Sequence, residues 1–396
     1  MRGRDVHESH RASTPLELLF DLTAVVAVAA AAGRLHHGLT EGSLGEAAQA
    51  FAQSFFSVWW PWMSYTWFAS AYDTDDVPFR MATLVQMIGV LLIAAGMLEA
   101  VDSQHAAAVG FFLMRIALVT QWWRASLEHP EGRATCRRYV AGIALLQVLW
   151  LARTAWLPAE WQFAAFCVLV ALELTVPVWA ARAGDTPWHA HHVAERYGLF
   201  AIILLGECML AAANVMTGTL AVHGWSVNTW VVTLAVAGLI LGLWWAYFLV
   251  PFAQVLHARR ERGFLWGYGH AAVFAALAVL GGVLEVVADV LRQAGDHAAT
   301  GAHGHATPLF AMSLTAGTVV MFFATLWWLG GRTTRRDAGT PMYVLPVLLA
   351  AAAAVVSVAS GGSLAWGLLL LAAGPALMVG WVTRDRRLRP ERFAVR

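Results

Sequence analysis

Lysine is absent from this chain: all 26 basic residues among its 396 are arginine. Charge of either sign is scarce, at 13% of residues against 59% hydrophobic. An ordinary soluble domain carries about a quarter charged residues, so the composition excludes one and calls for lipid as the solvent. Only three cysteines occur, Cys136, Cys167 and Cys208, all in or beside apolar stretches. That excludes a disulfide framework and a zinc knuckle, and leaves them as packing residues. No Walker loop, dinucleotide glycine fingerprint, Ser/His/Asp ordering or HExxH is found, which argues against ATP-driven transport within the chain and gives no reason to expect a cofactor or enzyme chemistry. Residues 1–14 are polar, and the first apolar stretch carries Glu17 and Asp21 with no cleavage site after it, so no removed signal peptide is expected.

What the chain does have is long apolar runs. A hydrocarbon core about 30 Å thick needs roughly 20 apolar residues per helix, and lipid leaves no partner for free backbone amides, so helices are the default. Spans are expected near 16–35, 47–71, 79–101, 106–127, 137–157, 161–182, 195–217, 229–252, 266–290, 308–330, 342–359 and 363–382. Arginine sets the orientation. Arg2, Arg4, Arg11, the Arg124 to Arg138 loop, Arg259, Arg260, Arg262, Arg332, Arg335, Arg336 and the tail from Arg384 share one side, while the other holds little beyond Arg34, Arg153 and Arg292. Both termini are therefore expected in the cytoplasm, with the chain in a bacterial inner membrane.

The two halves align by eye. Asp21 matches Glu207 and Glu99 matches Glu285 at an offset of 186, and Trp59-Trp60 matches Trp244-Trp245 at 185. Later the offset grows to 205, where Trp122-Trp123 meets Trp327-Trp328, as an inserted Gly/His/Ala-rich loop at 291–307 would produce. The expected fold is thus all-α and polytopic, about twelve transmembrane helices in two parallel six-helix repeats. Residues 1–15 form a cytoplasmic segment, 16–182 the first repeat, 183–194 a linker, 195–382 the second repeat and 383–396 a basic tail.

Ionisable residues inside a membrane are functional candidates by default. Glu17 and Asp21, four apart, share a helix face, where two carboxylates repel unless a proton or cation lies between them; the plainer reading is a helix start at Thr14-Pro15 or pairing with an arginine. Glu207 lies about 18 Å along its helix from Glu195, near mid-membrane. Arg115 and Glu173 are comparably deep, so Arg115 pairs with either Glu173 or Glu207, as a structural bond or a breakable relay. These five are the candidate substrate or ion site. Around it, Asp73, Asp75, Asp76 and Arg80 form a vestibule or a lock, with Asp76 also suited to cap a helix. Glu99 and Glu285 sit near outer span ends as gate-mouth residues. His191, His192, Glu195 and Arg196 gather at the start of the seventh span; His191 and Glu195 have metal-compatible spacing, but an interfacial hydrogen-bond network is the expected role and no metal is assigned. His297, His303 and His305 are expected to be solvated. The paired tryptophans read as aromatic belt and interhelical packing.

Three segments carry a family resemblance: Pro15-Leu-Glu-Leu-Leu-Phe-Asp-Leu22, the stretch from Tyr65 through Tyr72-Asp-Thr-Asp-Asp-Val-Pro-Phe-Arg80, and His191-His-Val-Ala-Glu-Arg-Tyr-Gly to Leu-Gly-Glu207. In this order and spacing the chain resembles the bacterial low temperature requirement protein A (LtrA) family over nearly its whole length, more weakly after about residue 330. The resemblance implies an integral membrane protein tied to growth in the cold, and it does not define a substrate. Cys208 stands where related sequences often carry a small polar residue. The leading functional expectation is a proton- or cation-coupled secondary transporter with its site between the repeats. A cation channel is the alternative, because Phe20-Asp21 partly resembles the Phe-Ser-Asp signature of potassium channels built from six-helix repeats, although the serine is missing and the second half has Gly206-Glu207. A membrane-embedded enzyme or an envelope scaffold is the third class. Expected partners are membrane lipid and a small solute, proton or cation, with no nucleic acid and with a homo-oligomer left open.

Overall fold

A computed structural model describes all residues except 2, 6–7, 9–10, 99–102, 301–305, 335–340 and 389–396. The described chain is helical: α1 Pro15–Thr40, α2 Leu44–Tyr72, α3 Val77–Leu98, α4 Ser103–Glu128, α5 Arg133–Trp156, α6 Gln162–Ala181, α7 Ala190–His223, α8 Val227–Phe248, α9 Phe252–Ala258, α10 Gly263–Thr300, α11 Pro308–Thr334, α12 Pro341–Ala359 and α13 Leu364–Leu388. Among the described residues eleven helices are long and apolar enough to cross a membrane. The remaining long one, α2, has the 29 residues needed but is diluted by Ser, Gln, Trp and Tyr. Those residues are tolerated because α2 is an interior helix: Trp60, Trp62, Tyr65, Thr66, Phe68, Ser70 and Tyr72 are all buried. The expected loop at 291–307 begins later than read, since α10 continues to Thr300. Its Arg, Gln and Ala residues favour helix even where the sequence is no longer apolar.

The chain divides into two compact units, Met1–Ala31 with Ala52–Tyr197, and Ala32–Phe51 with Gly198–Arg396. In the first, α3, α4, α5 and α6 pack each on the next, and α6 meets α2 through the perpendicular rings of Phe166 and Phe56, 5.7 Å apart. The α3/α4 contact is made by glycine: a Cβ on Gly89 would lie 2.6 Å from the Gly110 carbonyl, the small-residue approach that lets membrane helices touch backbone to backbone. Gly89→Leu should therefore cost at least the 1–3 kcal/mol typical of overpacking, read as a lower unfolding temperature of the purified protein in detergent.

In the second unit, α10, α11, α12 and α13 again pack in sequence, and α13 also packs on α8. Gly242 of α8 faces Pro375 of α13, where a Cβ would come within 2.6 Å of the proline ring. The 32–51 hairpin joins this unit, with His36 Nε2 2.7 Å from Asp289 Oδ2.

Candidate functional site

The first unit holds a buried ion network at the ends where α1 and α7 begin and α2 finishes. Thr14-Pro15-Leu16-Glu17 forms a capping box: Thr14 N–H donates to Glu17 Oε2 (2.8 Å) and Glu17 N–H to Thr14 Oγ1 (3.3 Å). Pro15 in the first turn costs no hydrogen bond. The cap fixes Glu17, and one turn later Asp21 emerges on the same face.

On α7, His192 and Arg196 have the same four-residue spacing and meet those two acids. His192 Nε2 lies 3.1 Å from both Glu17 carboxylate oxygens. Arg196 binds Asp21 through Nε (3.3 Å) and Nη2, its Nη2 also donates to the Glu17 carbonyl (3.3 Å), and its Nη1 sits 3.5 Å from Glu17 Oε1. Trp62 Nε1 donates to Asp21 at 2.7 Å, and the Tyr65 ring lies 5.5 Å from the guanidinium. All four ionisable residues are 0% exposed. Charges this deep persist only when paired and hydrogen-bonded.

The start of α7 is held by His189. Its Nδ1 accepts from His192 N–H (3.4 Å), which requires the proton on Nε2, and Nε2 donates to the Glu8 carbonyl at 2.8 Å. From Tyr65 a buried polar chain continues: Thr83 Oγ1 donates to the Tyr65 hydroxyl (3.3 Å), Gln121 Nε2 to Thr83 Oγ1 (3.4 Å), and Gln86 Nε2 to Gln121 Oε1 (3.0 Å). Thr83, Gln86 and Gln121 escaped the sequence reading, as did Arg11, Trp62 and Tyr65. The available signal was uncharged polar residues one turn apart inside the apolar run of α3.

Arg11 approaches from the segment before α1. It is buried and donates to the Ser70 carbonyl and, at 2.9 Å, to the Ala69 carbonyl, both at the end of α2. Its Nη2 lies 3.5 Å from Asp73 Oδ2 and 3.8 Å from Glu17 Oε1. Burial and the nearby Glu17 carboxylate raise the Asp73 carboxyl above its usual range, and burial lowers the Arg11 guanidinium.

The rest of the expected vestibule is a capped turn. Asp75, with φ of 49°, takes the left-handed conformation and pairs with Arg80 at 2.7 Å. Asp76 caps α3 through Phe79 N–H (3.0 Å) and binds Arg124 at 2.6 and 2.7 Å. The Arg124 guanidinium, with the Phe79 N–H, holds the Asp76 carboxyl well below the usual carboxylate range. A lowered folded-state value stabilises above the unfolded carboxylate pKa, so this contribution is full above about pH 4 and fades below it. Asp76→Ala should lose about 1 kcal/mol with the cap and flatten the acid limb of a stability-against-pH curve.

Deeper in the same unit, Arg115 pairs with Glu173 at 2.6 Å, and not with Glu207. Trp60 Nε1 (2.9 Å) and Trp150 Nε1 (3.2 Å) also donate to Glu173, and Arg115 Nη1 donates to Ser64 Oγ at 3.2 Å. Trp60 and Trp62 are thus buried donors to acids and not belt residues, whereas Trp244, Trp245, Trp327 and Trp328 are exposed. His191 points outward beside the half-buried Glu195, which accepts from Ser13 N–H at 3.5 Å. Among the described residues no group of three or more His, Cys, Asp or Glu side chains is placed to hold a metal ion.

Glu207 belongs to the second unit. It is half-buried, flanked by exposed Ile202, Gly206, Met209 and Leu210, and makes no hydrogen bond or ion pair among the described residues. Glu285 accepts from Asn214 Nδ2 at 2.7 Å. Glu99, with Arg2, Arg335, Arg336, His303, His305 and the tail from Arg389, lies outside the described residues, and the side chains of His297 and Arg332 are likewise undescribed.

A sequence profile described as bacterial low temperature requirement A protein (LtrA) matches residues 12–377. An uncharacterized protein of Rhizobium meliloti (strain 1021) is 25% identical over 335 residues, covering 80% of this chain and 76% of the relative. The profile takes in the capping box, both acids of α1, the whole α7 face that meets them and the Arg115–Glu173 pair, so with its helices long and apolar enough to cross a membrane this chain belongs to the bacterial low temperature requirement A family.

Proposed function

We propose that this protein is a secondary transporter coupled to protons or another cation, set in the bacterial inner membrane with both termini cytoplasmic. The observation that carries the reading is the α1/α7 network, in which Glu17 and Asp21 meet His192 and Arg196 with no exposed surface. Three carboxylates, Glu17, Asp21 and Asp73, face two guanidinium groups, Arg11 and Arg196. With neutral His192 this set carries one surplus negative charge, and one proton or monovalent cation removes it. Loading changes how Arg196 is shared between Glu17 and Asp21, which lie one helical turn apart. That sharing is the differential contact a coupled transport cycle needs. The arginine distribution supports the orientation. The same sequential packing of α3 to α6 and of α10 to α13 supports the two-repeat organisation, and such repeats are a recurrent transporter plan.

In proteoliposomes with an imposed pH gradient and an internal pH dye, the wild type should carry an acid-dependent flux. Asp21→Asn should reduce it at least tenfold and Glu17→Gln by a similar factor. Absence of any gradient-driven flux in the wild type would sink the transporter reading, and single-channel steps in a planar bilayer would replace it with a channel. A membrane-embedded enzyme is the second reading, favoured by the accessible surface at Glu207. In that case Glu207→Gln abolishes turnover of a lipid while leaving the α1/α7 network intact.

A further inference from the structure

The oxygens around Arg11 have an arrangement that the transport reading alone does not explain. Two main-chain carbonyls, Ala69 O and Ser70 O, come from the end of α2, where the helix dipole is negative; Ala69 O also accepts from Asp73 N–H at 3.0 Å. Two carboxylates, Glu17 and Asp73, complete the ring. Glu17 Oε1 is fully buried and, apart from the ion-pair approaches of His192 Nε2 at 3.1 Å and Arg196 Nη1 at 3.5 Å, has no hydrogen-bond partner among the described residues. Arg11, carried on an irregular segment outside any helix, reaches all four of these groups, and Glu17 is shared with Arg196 Nη1 at 3.5 Å.

We propose that this cradle is a binding site for a small planar organic cation of the guanidinium class, and that Arg11 is its tethered occupant, giving way when a free cation binds. The proposal rests on the cation-coupled reading above and names the chemistry of a cation that reading leaves open. The shape of the site favours this class over a bare metal ion. Calcium and magnesium need six or more oxygens at about 2.0–2.6 Å, whereas the cradle offers four groups that meet the two terminal nitrogens of the guanidinium: Ser70 O at Nη1, and Ala69 O, Asp73 and Glu17 at 2.9, 3.5 and 3.8 Å from Nη2. A guanidinium presents five N–H donors in one plane, suited to carbonyl and carboxylate oxygens together. Burial and the nearby Glu17 carboxylate raise the Asp73 carboxyl above its usual range.

A tethered side chain competes at an effective concentration of about millimolar or above, so it weakens the apparent affinity for a free cation by the fraction of time it holds the site. The experiment is isothermal titration of guanidinium chloride into detergent-purified protein, against sodium chloride at equal ionic strength. Arg11→Gln should bind guanidinium at least tenfold more tightly than the wild type. Arg11→Lys, which keeps a tethered cation, should stay within a fewfold of the wild type. Arg11→Gln/Asp73→Asn should lose the tightened binding. Equal affinities in wild type and Arg11→Gln, or the same response to sodium, overturn the proposal. If Arg11→Gln does not purify as a monodisperse protein, millimolar guanidinium during purification should restore it, and failure to do so also overturns the proposal. Because binding is read without a membrane or gradient, a protein that binds as stated yet carries no flux retains the site and discards only the transport reading.

Discussion

Arg196→Met should be among the most destabilising single substitutions in the first unit, at about 3–5 kcal/mol, because it leaves buried carboxylates without their cation. Asp21 loses two guanidinium donors and keeps only Trp62 Nε1. Glu17 loses the Nη1 charge at 3.5 Å and its carbonyl loses Nη2, leaving Arg11 at 3.8 Å as its counter-charge and His192 as a hydrogen-bond partner. The check is thermal unfolding of purified protein in detergent, with three companions that separate charge from shape. Arg196→Lys keeps the charge but not the fork and should fall between wild type and methionine. Asp21→Asn in the Arg196→Met background should recover part of the loss, giving a coupling energy of about 1–3 kcal/mol for the pair. Glu17→Gln in that background should recover less, because Glu17 also caps α1. A methionine variant as stable as wild type would mean that Asp21 is protonated in the resting protein.

The spans were legible because the bilayer fixes their length, and α3, α6 and α8 are read nearly whole from hydropathy, whereas α1 runs on to Thr40 and α7 extends past 195–217 at both ends, its start at Ala190 lying in the expected linker. Glu17 and Asp21 stood out for the same reason, as acids in an apolar helix. Their partners were harder to see. On α7 the buried stripe Val193, Tyr197, Phe200, Leu204 recurs at helical spacing, and it places His192 and Arg196 at its edge with His191 and Glu195 on the far side. That periodicity was available in the sequence and separates the two candidate pairs, whereas metal-ligand spacing alone favoured the exposed one. Arg11 left no such trace. It lies in a polar segment without periodicity, and its role comes from a tertiary contact with the end of α2. Trp60 and Trp62 were hidden by their own abundance class: tryptophan near span ends normally marks the interface, and only the burial of α2 on nearly all sides turns them into donors for Glu173 and Asp21.

The Arg115–Glu173 pair separates structural charge from working charge. Arg115→Leu should destabilise the first unit by about 3–5 kcal/mol, and Glu173→Leu by a similar amount, since each strands the other charge. The orphan costs differ in kind: without Glu173, Trp60 and Trp150 lose their acceptor as well as Arg115, while without Arg115 the carboxylate keeps two indole donors. Glu173→Leu should therefore be the worse of the two. The double variant Arg115→Leu/Glu173→Leu should recover the part of the loss due to the stranded charge, because an apolar pair often replaces a buried ion pair at little cost, while the Trp60 and Trp150 indoles stay without their acceptor. Proton flux in liposomes should then be close to wild type, in contrast to Asp21→Asn. This follows from geometry: both Glu173 carboxylate oxygens accept from donors on α2, α4 and α5, whereas among the described residues Glu17 Oε1 and His192 Nδ1 lack a hydrogen-bond partner, as do Arg196 Nη1 and Arg115 Nε on the cation side. A carboxylate with both oxygens engaged has nothing left to exchange during a cycle. A refolded double variant with flux lost to the extent seen in Asp21→Asn would move Arg115 and Glu173 from the scaffold into the coupling path.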